Sequence, residues 1–199
     1  GLISRGVLMN GTLFCVIVGL CAFIVAFVLG SAVTLTTGIP LAGGLLNGVL
    51  TSMILTIGML ATRDKYKWSG TVMWLVFSAA AIVTTTLGPP GFYKLLIGVA
   101  AGITWDFFYW LFRYRRIGLY LGGVVGGLVI TGLLILVLQW LIDNVVPNLW
   151  ITGDYQGSLD RLMSYIMFLI TVNIDVTIVG VRLGVYVYER RLKNVIKIN

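Results

Sequence analysis

Residues 7–30, VLMNGTLFCVIVGLCAFIVAFVLG, run for 24 positions without one charged side chain. At 1.5 Å per residue a helix of that length measures about 36 Å, enough for the roughly 30 Å of hydrocarbon in a bilayer. The run lacks period-2 alternation and far exceeds a barrel strand, so it reads as a helix. It is also too long for a signal-peptide core, so it reads as a retained span. Further apolar runs lie near 41–62, 69–87, 92–112, 117–142 and 162–188. The predicted fold class is therefore all-α: a polytopic membrane protein with one bundle of six transmembrane helices, a single domain over residues 1–199.

Composition supports the same class. The chain is 59% hydrophobic and 11% charged, with a mean hydropathy of +1.01; soluble domains carry about 25% charged residues. There is no histidine, which removes His-ligated haem, copper or zinc, Ser-His-Asp triads and His proton relays. Cys15 and Cys21 share the first run. Six positions turn a helix by about 240° and raise it about 9 Å, so the two do not bridge and read as packing residues. No Walker loop is present, and Gly122-Gly-Val-Val-Gly-Gly127 lies inside an apolar run with no strand before it. No catalytic residue, metal site or cofactor is expected, and any ATP is hydrolysed by a partner.

The net charge is +7. Arg5, then Arg63, Lys65 and Lys67, then Arg113, Arg115 and Arg116, then Arg190, Arg191, Lys193 and Lys197 all fall on one side of a six-span bundle. The other side has Lys94 and Arg161. Basic loops face the cytoplasm, so both termini are predicted cytoplasmic in a multi-pass protein of the cell (plasma) membrane. Topology accounts for the charge, and nucleic acid is not an expected partner.

Ser31 to Pro40, Thr84 to Gly91 and Asp143 to Arg161 read as the outward loops. The second, with Pro89-Pro90, forces a turn. The third is the longest and carries Trp150, Asp154, Tyr155 and Asp160.

Small residues mark packing faces. Gly11, Cys15, Gly19, Ala22, Ala26 and Gly30 recur every three or four positions, on a single face of the first span. Lipid gives helices no hydrophobic reason to associate, so small residues let backbones approach. The stripe is expected either to pack internally or to dock a separate subunit.

Asp106, Asp175 and Arg182 fall inside predicted spans, where a charge requires a partner. Asp106 and Arg182 each lie six residues from the inner end of their span, so an intramembrane Asp106–Arg182 ion pair is expected. Asp175, seven residues before Arg182, shares its helix face and either competes for the arginine or lines a polar cavity with Asn173. Candidate substrate-binding residues in the outer half are Asn47, Lys94, Gln139, Trp140, Tyr165, Asn173 and Asp175, with Asp143 beside them. Each equally suits an interfacial role.

Gly38-Ile-Pro-Leu-Ala-Gly-Gly-Leu-Leu-Asn47, Leu87-Gly-Pro-Pro-Gly-Phe-Tyr-Lys-Leu-Leu-Ile-Gly98, Gly180-Val-Arg-Leu-Gly184 and Tyr188-Glu-Arg-Arg-Leu192 together resemble the substrate-binding (S) components of energy-coupling factor transporters. The resemblance covers almost the whole chain, and the family's helix-one Ala-x-x-x-Ala motif has a match at Ala22 and Ala26. It implies a six-helix protein that binds a vitamin or its precursor beneath the outward loops. It further implies toppling against a transmembrane coupling subunit driven by two ATPase subunits, with Ala22 and Ala26 at the docking face. The rival expectation is a non-catalytic subunit of a larger membrane complex, such as a membrane-bound oxidase or monooxygenase. A stand-alone channel or secondary transporter is a third. The outer half discriminates: a closed polar pocket under the loops belongs to a transporter component, a filling of Leu, Phe and Trp to a scaffold.

Overall fold

The computed structural model describes residues 8–84, 91–144 and 155–198. Six α-helices follow one another: α1 (Gly11–Thr37), α2 (Pro40–Thr62), α3 (Ser69–Thr84), α4 (Gly91–Leu111), α5 (Arg116–Asn144) and α6 (Tyr155–Val187). A π-helical turn, Tyr188–Leu192, continues α6. Five of the helices are long and apolar enough to cross a membrane, whereas α3 is a shorter apolar helix of 16 residues. The chain is a helical, multi-pass membrane protein by length and composition.

Local chemistry explains the ends of α1. The Asn10 side chain accepts a 2.9 Å hydrogen bond from the Thr12 N–H and caps the start. At the other end the helix runs through Thr37, past the expected loop start at Ser31. The Thr36 and Thr37 hydroxyls donate to the carbonyls of Ala32 and Val33, at 2.8 and 2.6 Å, so these polar residues satisfy themselves on the helix. Gly38 then stops it at φ 69°, its N–H on the Thr34 carbonyl, a left-handed position that glycine takes without steric cost. Helix α2 starts two residues later with Pro40 in its first turn. The third expected loop is also shorter than its sequence indicates, because α5 reaches Asn144 and α6 begins at Tyr155.

The helices close into a ring in the order α1, α2, α6, α5, α4, α3, with α3 returning to α1. Leu55, Met59, Met73, Trp105, Tyr109, Leu119 and Val181 fill the middle. Helices α2 and α6 run parallel in close contact. A Cβ on Gly180 would fall 2.5 Å from Ser52 Cβ, and one on Gly184 2.8 Å from Thr56 Cβ. Gly48 faces Val176 one turn further out. These contacts share one offset, so Asn47 lies level with Asp175 and Ile54 with Arg182.

One end of the ring gathers the basic segments. Strands β1 (Leu8–Met9) and β2 (Lys197–Ile198) pair in parallel. The Lys65 ammonium donates to the Ile198 carbonyl at 2.7 Å, and Arg63 Nη2 donates to the Tyr114 carbonyl at 3.3 Å. Arg116 forms an ion pair with Glu189. The described beginning and end of the chain therefore lie at the same end as the α2–α3 and α4–α5 connections.

Candidate functional site

Asp106 is buried on α4, and its carboxylate closes the N-terminus of α3. Its Oδ1 accepts from the Gly70 N–H at 2.9 Å, and Oδ2 accepts from the Thr71 N–H at 2.8 Å and the Thr71 hydroxyl at 2.6 Å. The first-turn N–H groups of a helix have no intrahelical acceptor and carry the positive end of its dipole. A carboxylate from a neighbouring helix meets both needs. Two glycines admit it: a Cβ on Gly102 would lie 2.5 Å from Thr71 Cα, and one on Gly70 2.8 Å from Asp106 Oδ1.

The Asp106–Arg182 ion pair expected from sequence therefore does not form. In the ring α5 separates α4 from α6, and Arg182 is exposed on the outside of α6. Asp175 is exposed as well. Thr177, Gly180, Val181, Gly184 and Val185 form the buried row of α6; at 100° per residue Asp175 and Arg182 lie about 130–150° round the helix from it. Read against α2, Asp175 is level with a point seven residues from the Pro40 end of that helix and Arg182 with one eight residues from its Thr62 end. Both sit more than about 10 Å from either end, at a depth where an exposed charge costs at least about 2.5–3.5 kcal/mol on insertion scales.

The small-residue stripe of α1 also requires correction as a docking face. Cys15, Ala22 and Ala26 have no accessible surface, and Gly11, Gly19 and Gly30 are buried. Gly19 abuts the Met73 backbone of α3, and Gly30 abuts Gly43 and Asn47 of α2. Gly11 faces Tyr66 and Ile198. The reason is position: α1 closes the ring between α2 and α3, so its small face is consumed inside the chain. The outer face of α1 carries Leu13, Ile17, Leu20, Ile24, Phe27 and Val28.

The outer-half candidates fall into separate places. Asn47 lines a cleft of about 530 Å³ between the ends of α1 and α2 remote from the basic end of the bundle, with Gly30, Ser31, Thr34, Leu35, Gly43 and Gly44. Its Oδ1 accepts from the Thr51 hydroxyl at 3.4 Å. Asn173 belongs to the α5–α6 contact, where its Nδ2 donates to the Gly127 carbonyl and to Thr131 Oγ1, both at 3.1 Å. Asp175 faces outward and joins neither group. Lys94 is half-buried on α4. Gln139, Trp140 and Asp143 lie on α5 and Tyr165 on α6, with their side chains outside the described residues. Among the described residues, Asn47 is the candidate that lines a cavity.

A second cavity, of about 550 Å³, opens at the basic end and is lined by Arg63, Tyr114, Arg115, Arg116, Tyr188 and Lys193, among others. Burial pushes the Tyr114 phenol above its ordinary range, and the Asp64 and Asp106 carboxylates add to the effect. Arg63, Arg113 and Tyr114 take positive φ of 42°, 54° and 58° there. The run of basic loop residues was the only sequence signal for this cavity. Among the described residues no three His, Cys, Asp or Glu side chains are grouped to hold a metal ion.

Comparison with protein-family models, with curated proteins and with solved structures finds no match to this chain.

Proposed function

We propose that this chain is the membrane-embedded substrate-binding component of a vitamin or micronutrient importer of the energy-coupling-factor type, energised by a coupling subunit and two ATPases. The observation that carries this reading is the cleft at the outer ends of α1 and α2. Its walls are Ser31, Thr34, Asn47 and three glycines, with Leu35 as the one large apolar side chain, and its volume of about 530 Å³ falls within the range of small-molecule sites. The Ser31 and Thr34 hydroxyls and the Asn47 amide offer both donors and acceptors to a small polar solute. The basic end lies at the opposite side of the bundle, and the positive-inside bias supports placing that end and both termini in the cytoplasm. The cleft then opens outward, on the side from which an importer collects its solute. The plasma membrane and the six-span topology belong to the same reading.

Mild-detergent purification from native membranes, with mass spectrometry of the proteins and small molecules that accompany the chain, tests it. Two ATPases with one coupling subunit, or a bound micronutrient lost in Asn47→Leu, are the expected results. Subunits of a metalloenzyme with no bound solute would overturn it.

A second reading, a non-catalytic subunit of a larger membrane complex such as an oxidase or monooxygenase, is favoured by one observation. Asp175 and Arg182 are exposed at membrane depth, which calls for protein neighbours on that side.

A further inference from the structure

Two opposite charges occupy the outer face of α6, one at each side of the middle of the bundle. Asp175 and Arg182 are exposed there with Ile178, Val179 and Tyr186. Seven residues of helix separate the charges by about 10.5 Å, two turns on one face. They do not neutralise each other: the ion pair among the described residues is Arg116–Glu189. Beyond Arg182 the helix continues to Val187 and through the π-helical turn to Leu192, so the charge lies about 15 Å short of that end. Side chains lean toward the N-terminus of their helix, so Arg182 leans toward Asp175 and away from the basic end.

We propose that this face of α6 is the contact surface for a transmembrane helix of a different protein chain. That helix carries an acidic side chain at the depth of Arg182 and a basic or hydrogen-bond-donating side chain about 10 Å nearer the outer end, opposite Asp175. Charge complementarity selects the occupant. Lipid tails satisfy neither charge. A second copy related by a two-fold axis along the membrane normal keeps each residue at its own depth, and so sets Asp175 against Asp175 and Arg182 against Arg182. An antiparallel copy would have to insert with its basic loops outside. A foreign helix with the reversed charge pattern satisfies both residues, while Ile178, Val179 and Tyr186 supply the apolar packing between and beside them.

The inference deepens the proposed partnership by naming its surface, and it replaces α1 with α6 as the docking helix. It rests on the need for a partner and not on the solute, so the two readings fail separately.

The test places a photo-crosslinking amino acid at Ile178 of the full-length chain and irradiates intact native membranes, with Ile24 on the exposed face of α1 as the comparison site. The expected adduct at Ile178 joins a transmembrane segment of another protein that contains Asp or Glu within one turn of the crosslinked position. Arg182→Glu lowers its yield at least tenfold at equal chain abundance, Arg182→Lys preserves it, and changing the partner's acidic residue to Arg restores it in Arg182→Glu. Arg182→Gln, which adds no new charge, also lowers the yield and guards against a folding defect peculiar to the glutamate variant. Adducts with lipid alone, adducts with a second copy, or an adduct indifferent to Arg182→Glu would each overturn the proposal. An adduct with an oxidase subunit that obeys the charge swap would uphold the surface and remove the importer reading.

Discussion

The Thr71 hydroxyl, at the start of α3, donates a 2.6 Å hydrogen bond to the carboxylate of Asp106 on α4. The same carboxylate accepts from two first-turn N–H groups, so a single side chain caps one helix and fastens it to the next. Asp106→Asn keeps the shape but removes the charge and turns an amide NH2, itself a donor, toward donors. It should cost about 1.5–3 kcal/mol, the range for hydrogen bonds to charged groups. Thermal unfolding in detergent measures it. Because Arg182 takes no part, the double variant Asp106→Asn with Arg182→Gln should be additive within about 0.5 kcal/mol. A larger coupling would restore the ion pair.

The approach of α4 to α3 makes a second prediction about Gly102. An alanine there would bring its Cβ to 2.5 Å from Thr71 Cα and 2.8 Å from the Gly70 carbonyl oxygen. Backbone atoms cannot swing aside as a side-chain tip can, so α3 must shift and the Asp106 bonds must lengthen. Gly102→Ala should destabilise by about 1–3 kcal/mol or more, as overpacking does. Gly132 on α5 has nothing within 4 Å of its would-be Cβ, and Gly132→Ala should be neutral or stabilise by up to about 1 kcal/mol through helix propensity. Equal melting shifts for the two would contradict the packing.

Much of the helical layout was legible because apolar runs and basic gaps are properties of residue type. The runs near 41–62 and 92–112 became Pro40–Thr62 and Gly91–Leu111, and the basic gaps gather at one end. What Asp106 touches was not legible. Its partners are backbone amides 35 and 36 residues away, and every residue but proline has an amide. A search for a partner by residue type finds Arg182 instead. The stripe on α1 shows the same limit: spacing gives the face, but Gly19 looks alike whether it meets α3 or another protein. Ser31 to Thr37 misled for a different reason, since polar residues that ordinarily mark loops bond back onto their own helix.

Ala22 and Ala26 carry the third prediction. Both are buried in the seam that α1 makes with the rest of the ring. Leucine at either position forces three extra carbons into a filled contact, costing about 1–3 kcal/mol each. The double variant should therefore melt early or fail to fold, with partner loss only as a consequence. A variant that keeps its melting temperature and loses only its partner would make α1 the docking helix again.

Asn173 gives the last prediction, because its amide is read by two acceptors at once. Nδ2 faces the Gly127 carbonyl and Thr131 Oγ1, and Thr131 itself donates to that carbonyl at 2.9 Å. The Gly127 carbonyl therefore takes two donors, and the nitrogen of residue 173 has to be a donor. Asn173→Ala removes both of these hydrogen bonds between α5 and α6 and should cost about 1 kcal/mol, since interhelical hydrogen bonds in membranes contribute about 0.6 kcal/mol each. Asn173→Asp keeps the size but points an ionised oxygen at a carbonyl oxygen. Repulsion then adds to the penalty of at least about 2.5 kcal/mol for a charge at membrane depth. The expected stability order is wild type, then Asn173→Ala, then Asn173→Asp. If the aspartate variant melts with or above the alanine variant, the donor is not required and residue 173 faces water or a solute instead of α5.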